Sequence, residues 1–415
     1  MIVPQELGYL ALAVVQAGAY IFKSECSLNR YLELYRERRG GILEEYNVQQ
    51  NDDYKWTVYT TWSISFRRLS AQSVRFLQLC AYLHHDGISE AIFRNAASNV
   101  TSSRSYCVVD RPGPQKPKFG YFFKKRTPLT RSLDGTQDSY SRANDFLAAF
   151  RNLDSAWDSQ KFMKMITEIR SYSLIEFDIE NQTYSIHPLV HAWIHTTISD
   201  KGAISSYTQW ILGMSITRGR NPEDYTFRRT LQPHMDYILE RRNSVDLEFC
   251  EKFRWVYSKA RRWKEAEKLQ LQVMNGRLKI LGPGHPDTLS AMGSLAKIYW
   301  NQGLLKEAEE LGVQVRDARF RMLGAEHPDT LWAMANLAAT YKYQGRWKEA
   351  EELEVQVRDA RLRKLGAEHP HTLLAMGKLA ATHRRQGRWK EAEELEVQVR
   401  DTRLRMLGVE HPDTL

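Results

Sequence analysis

His285-Pro286-Asp287-Thr288-Leu289 returns as His327-Pro328-Asp329-Thr330-Leu331, as His369-Pro370-His371-Thr372-Leu373 and as His411-Pro412-Asp413-Thr414-Leu415. Each start lies 42 residues after the last, and residues 329–370 match 371–412 at 32 of 42 positions. A unit copied this closely stacks on its own copies, because one unit alone cannot cover its apolar face. The C-terminal part is therefore expected to be a helical solenoid. Such an array presents binding surface rather than a catalytic centre.

Within residues 329–370 the periodicity predicts two helices. The first runs over about 330–343, with Asp329 as N-cap or in the first turn. Leu331, Met334, Leu337, Ala338 and Tyr341 fall at three- and four-residue steps on one face. Gly345 closes this helix, and the second starts near Trp347 with Ala350, Leu353, Val357, Ala360 and the stem of Lys364 as its inner stripe. Its acids (Glu349, Glu351, Glu352, Glu354) precede its bases (Arg358, Arg361, Arg363, Lys364). That order suits the helix dipole and predicts pairs along the helix such as Glu354–Arg358. The Trp263-Lys264-Glu265-Ala266-Glu267 block carries the period back, so a worn first helix is expected at about 245–261. The chain stops at Leu415, just inside the first helix of another unit, and a truncated array is expected.

Leu337-Ala338, Tyr341, Gly345 and Ala350 resemble the motif positions of tetratricopeptide repeats of the long, kinesin-light-chain-like form. The resemblance implies a protein or peptide partner on the concave face of the first helices. There the near-copied units differ: Trp332, Asn336 and Tyr343 in one, Leu374, Lys378 and Arg385 in the next.

The 415 residues are 42% apolar and 26% charged, a globular composition long enough for two or three domains. Four scattered cysteines (Cys26, Cys80, Cys107, Cys250) fit neither a disulfide framework nor a zinc ribbon, and point to a reducing, cytoplasmic setting. Of the net charge of +9, residues 104–131 hold eight bases against one acid, whereas residues 329–370 hold seven of each. Leu7–Phe22 is apolar over 16 residues, too short to span a bilayer, and reads as a buried helix. No membrane partner is expected.

Residues 5–50 read as two helices, the second ended by Gly40-Gly41, and 55–99 as three more. Residues 100–139, with four prolines among serines and lysines, read as a disordered basic insertion. Helices at 141–151 and 159–172, a hairpin around Glu180-Asn181 and a helix begun by Pro188 outline a winged helix. Residues 203–241 read as two linking helices. The domains expected are thus 1–99, 100–139, 140–200, 201–244 and 245–415.

Leu7-Gly8-Tyr9-Leu10-Ala11-Leu12-Ala13 resembles the GLPLA motif of NB-ARC domains, and Ile186-His187-Pro188-Leu189-Val190 sits where that family carries its MHD motif. This layout is similar to fungal NLR-like proteins. The resemblance implies an adenine contact at Leu10 and Ala11 and an ADP-phosphate contact at His187. Ala11 replaces the family's proline and Pro188 its aspartate, which puts those contacts in doubt. No Gly-x-x-x-x-Gly-Lys-Ser/Thr exists in the chain, so loop amides and a lysine to cradle a triphosphate have no source. No ATP hydrolysis and no cofactor is expected, with ADP only if a nucleotide-binding subdomain is supplied.

His187, His191 and His195 share one helix side, but no further ligand completes a zinc site. Tyr106, Phe119 and Phe122 among the bases of 104–131 suit single-stranded nucleic acid, a less favoured reading. The expectation is a mainly α, non-enzymatic chain: helical bundle, winged helix with a small β-hairpin, then an α-solenoid of tetratricopeptide repeats. It would serve an NLR-like signalling protein as interaction scaffold or sensor, with self-association a further expectation. An ADP-responsive regulator and a nucleic-acid binder are the alternatives.

Overall fold

The computed structural model describes residues 11–46, 53–105, 135–217, 219, 221–241, 245 and 247–408. It divides into two compact units, Met1–Phe249 and Cys250–Leu415. The chain is mainly helical, with one small two-stranded sheet among the described residues, and its C-terminal unit is a helical solenoid.

The first unit contains α1 (Ala11–Ser24), α2 (Leu28–Tyr46), α3 (Asp53–Phe66), α4 (Ala71–Cys80), α5 (Glu90–Ser105), α6 (Gly135–Ala148), α7 (Ser159–Ser171), β1 (Glu176–Asp178), β2 (Thr183–Ser185), α8 (Pro188–Thr196), α9 (Lys201–Ser215), α10 (Pro222–Thr230) and α11 (Gln232–Arg241). β1 and β2 pair antiparallel, with Phe177 opposite Tyr184. Ile88 adds a bridge to Tyr184 through reciprocal backbone bonds of 3.0 and 2.7 Å. The hairpin lies in sequence between α7 and α8, as expected. Phe76, Phe93, Phe146 and Phe162 are fully buried and meet edge-on or tilted, forming the core of this unit.

Several boundaries differ from the sequence reading. α2 runs through Gly40-Gly41 to Tyr46, the helix penalty of glycine being modest. Helix α5 continues to Ser105 and α6 begins at Gly135, so both ends of the proposed insertion are helical; residues 106–134 lie outside the described residues. Three helices, not two, occupy 201–241. α1 is not buried all round: Ala13, Gln16, Ala17 and Tyr20 face the core while Val15 and Phe22 are exposed.

Helix α12 (Leu247–Lys259) leads into the repeats. They continue as α13 (Trp263–Leu281), α14 (Pro286–Gln302), α15 (Leu305–Leu323), α16 (Pro328–Tyr343), α17 (Trp347–Leu365), α18 (Pro370–Arg385) and α19 (Trp389–Leu407). The even-numbered members are the A helices and the odd-numbered the B helices. As the periodicity predicts, Leu331, Met334, Leu337, Ala338, Tyr341, Ala350, Leu353, Val357 and Ala360 form one cluster.

Three local expectations change. The N-cap of α16 is His327, whose Nδ1 accepts from the Asp329 N–H at 3.1 Å, so of its two expected places Asp329 takes the one in the first turn. His285 and His369 do the same for α14 and α18, each at 3.1 Å. A histidine before proline thus satisfies one of the orphan donors of the first turn. Lys364 is exposed, and Glu354 takes a place in the inner stripe instead. Glu354 does not pair with Arg358, which contacts Asp359. Charges here tie helix to helix: Arg277, Arg319 and Arg361 each donate to the carbonyl ten residues on, in the first turn of the next A helix, at 3.0–3.2 Å. Gln302, Gln344 and Gln386 reach back to Glu267, Glu309 and Glu351 at 2.8–2.9 Å.

Removing one cap with His327→Ala should lower stability by about 1 kcal/mol, with His327→Asn largely restoring it; chemical denaturation of the repeat unit measures both. In the first unit His234 has no exposed surface, its Nδ1 accepting from the His84 N–H (3.1 Å) and its Nε2 bonding the Gly87 carbonyl (3.1 Å). His191 bonds the Cys80 and Leu83 carbonyls at 3.0 Å. Burial lowers both rings to about 4, so the fold holds them neutral. Above the ordinary value of 6.5 neither state is protonated and stability is full. As pH falls from 6.5 towards 4 the unfolded chain gains protons that the fold refuses, a loss of about 2 kcal/mol per histidine by pH 5. Melts across that window should show the loss, and His234→Gln should remove its share of the slope.

Candidate functional site

In the repeat unit a cavity of about 140 Å³ opens between α14 and α16, over α15. Its walls are small: Gly293, Ala296, Ala308, Gly312, Val315 and Ala333. Its rim is large, with Lys297, Trp300, Trp332 and Asn336. The Tyr343 ring meets Trp300 edge-on at 4.6 Å between centroids. Trp332 is 44% exposed and Tyr343 66% exposed, high values for such large rings.

Both glycines matter to the shape. A Cβ on Gly312 would stand 3.2 Å from Leu337 Cδ1, and one on Gly293 would stand 3.4 Å from Trp332. Their absence leaves the room that the cavity occupies. The Trp300 Nε1 is buried and has no hydrogen-bond partner among the described residues. Such a donor is costly to leave unmatched. Arg319 lies beneath the rim, its guanidinium 5.6 Å from the Trp332 ring centre and bonded to Ser290 Oγ at 3.2 Å.

The next interface shows why the cavity forms where it does. One period after Gly312 stands Glu354, and one period after Trp300 stands Lys342. Glu354 is almost fully buried, receives Lys342 Nζ at 2.8 Å and accepts from Thr382 Oγ1 at 2.6 Å. Thr340, on the cavity wall, occupies the Thr382 position one unit earlier. A lysine–glutamate–threonine set thus fills the second interface, and a tryptophan over a glycine leaves the first open.

The structure brings Trp332 and Asn336 together at the cavity and sets Tyr343 against its rim through Trp300. Leu374 and Arg385 are exposed at the equivalent positions of α18, outside the cavity. Lys378 is half-buried there; burial, with Lys342 and Arg361 nearby, lowers its pKa. Sequence reading missed Lys297, Trp300 and Gly312. The signal lay in aligning residues 287–328 on 329–370, where Trp300 faces Lys342 and Gly312 faces Glu354.

In the first unit His187 is exposed and caps α8, its Nδ1 accepting from the Leu189 N–H at 3.3 Å. It plays the capping role of His285, His327 and His369. Ala11 opens α1, and Leu10 lies outside the described residues. His191 turns inward and His195 stacks near Tyr82. Among the described residues no three histidine, cysteine or acidic side chains group as a metal site, and no helix is long and apolar enough to cross a membrane.

Tetratricopeptide-repeat family models match residues 256–319, 330–371 and 372–413. No curated protein matches the chain. Among solved structures, a Podosopora anserina protein with nearly identical TPR-like repeats, named for kinesin light chain, is 27% identical over 45% of this chain and 90% of its own, with a TM-score of 0.39. BtubC (BKLC) from P. vanneervenii is 13% identical over 69% of this chain and 94% of its own, at 0.38. A signal transduction ATPase with numerous domains and a tetratricopeptide repeat sensor, from Pyrococcus horikoshii, is 9% identical over 95% of this chain and 60% of its own, at 0.33. The C-terminal unit is thus built of tetratricopeptide repeats.

Proposed function

We propose that this chain is a non-enzymatic protein-interaction module whose repeat groove binds an extended peptide of a protein partner. The observation that carries the reading is the cavity under Trp300 and Trp332. It is apolar, sized for one large side chain, and edged by two tryptophan rings. Exposed Tyr343 and Leu374 extend the apolar contact along the A helices, and Lys378 and Arg385 add positive charge beyond them. The GLPLA-like and MHD-like segments support placing the module in an NLR-like signalling protein, as its sensor or scaffold.

The test transplants one interface onto the other. Trp300→Lys with Gly312→Glu should recreate beside Thr340 the arrangement of Lys342, Glu354 and Thr382, filling the cavity while keeping the fold. Peptides selected from a displayed random library on the full chain should share one large apolar residue. They should lose at least about 30-fold in affinity for the double variant, the loss expected of a central anchor. Melting within a few degrees of wild type verifies the fold. Selected peptides that bind the double variant as tightly as wild type would overturn the reading, and Trp332→Ala provides a milder second variant on the exposed rim.

A further inference from the structure

The last turns of the B helices carry a pattern that the fold uses only in part. Arg277-Leu278-Lys279-Ile280-Leu281 is followed one period later by Arg319-Phe320-Arg321-Met322-Leu323, then by Arg361-Leu362-Arg363-Lys364-Leu365 and by Arg403-Leu404-Arg405-Met406-Leu407. The first arginine of the first three copies points inward and bonds the next A helix. The side chains after it turn to solvent. Leu278, Phe320 and Leu362 are exposed, as are Ile280, Met322 and Met406. Between them Lys279, Arg321, Arg363 and Arg405 are exposed too.

Stacking places these helix ends on one edge of the array. Contacts between successive copies show it: Arg363 bonds Glu326 at 2.8 Å and Arg405 reaches Glu368 at 3.6 Å, each acid lying 37 residues earlier in the chain. The edge therefore presents a stripe of exposed apolar side chains alternating with bases. Five bases stand along it, of which Glu326 pairs with Arg363 and Lys364 and Glu368 with Arg405. The acids one turn back, Asp317, Asp359 and Asp401, are each paired with the arginine before them, while Lys279 and Arg321 add to the positive charge. A favourable charge at helix C-termini explains bases there, but not the apolar residues standing in water beside them.

We infer that this edge docks the chain on the surface of an anionic phospholipid bilayer. Exposed Phe, Leu, Ile and Met interleaved with Arg and Lys suit the boundary between headgroups and acyl chains. Excess positive charge works against pairing with a second copy. The stripe is also repetitive: the order base, apolar, base, apolar, apolar recurs in three of the four copies, with Lys364 replacing one apolar residue in the third, while the concave face changes from unit to unit. A surface without sequence or register, such as a fluid bilayer, is matched by repetition. This contact needs no spanning helix and departs from the expectation of no membrane partner, which rested on spans alone.

The test is flotation of the full chain with vesicles of phosphatidylcholine, alone or mixed with phosphatidylserine. Binding should require the anionic lipid and weaken with salt. Lys279→Glu with Arg321→Glu should lower the partition coefficient by about fivefold or more per residue changed. Phe320→Gln with Met322→Gln should lower it at unchanged charge. Both pairs are solvent-facing, and circular dichroism verifies the fold. Equal binding to neutral and anionic vesicles, or no effect of either pair, would overturn the proposal. So would a dimer, seen by sedimentation, that Phe320→Gln with Met322→Gln dissolves, since the edge would then belong to a second copy.

Discussion

The repeat unit depends on one close contact. Ala266, Ala308, Ala350 and Ala392 occupy the same position of successive B helices, each with at most 2% of its surface exposed. A methyl group lets neighbouring helices approach where a larger side chain would hold them apart. Interiors packed to crystal density do not absorb an extra methylene without backbone shifts. The alanine therefore sets the spacing of the A helices, and that spacing sets the size of anything the groove admits. The cavity between α14 and α16 is a local exception inside this frame: Ala308 keeps the helices close while Gly312, one turn on, withdraws the next side chain.

Polar groups fix the register that the alanines leave free. Apolar contact is non-directional and would tolerate sliding of one unit on the next. The arginine-to-carbonyl bonds and the Gln–Glu bonds do not, because each demands a donor and an acceptor within about 3 Å. Both recur at the same offsets in successive units, ten residues for the arginine and 35 for the glutamine. The histidine caps then fix where each A helix begins. Three polar devices per unit, one for each junction, leave the concave surface free to vary.

The apolar stripe was legible in the sequence because a 3.6-residue period survives any packing arrangement; Leu331 to Tyr341 fell where the spacing put them. Partners of charged residues were not legible. Glu354 satisfied the rule for a pair with Arg358 four residues on, yet it turns inward to Lys342 and Thr382, 12 and 28 residues away. Spacing along one helix carries no information about the helix packed beside it. His327 was not read as a cap because histidine is not a common capping residue, whereas Asp329, two residues on, took the first-turn place that its charge suits. Gly40-Gly41 shows the converse error, a local breaker through which the helix continues.

The cavity was hidden because it is made by an absence. Gly312 and Trp300 look ordinary until set against Glu354 and Lys342 one period later, and only the structure shows that those two meet. Their exchange also explains how such an array can diversify. A buried ion pair gains from mutual attraction roughly what it loses in desolvation, so replacing both partners together changes stability little, whereas replacing one strands a charge. Trp300 with Gly312 and Lys342 with Glu354 are two self-consistent solutions of the same junction, one open and one filled. Each keeps the alanine contact, the register bonds and the cap. Specificity in the groove can therefore change by paired substitution at positions 42 residues removed from a working template, while the frame that presents it stays fixed.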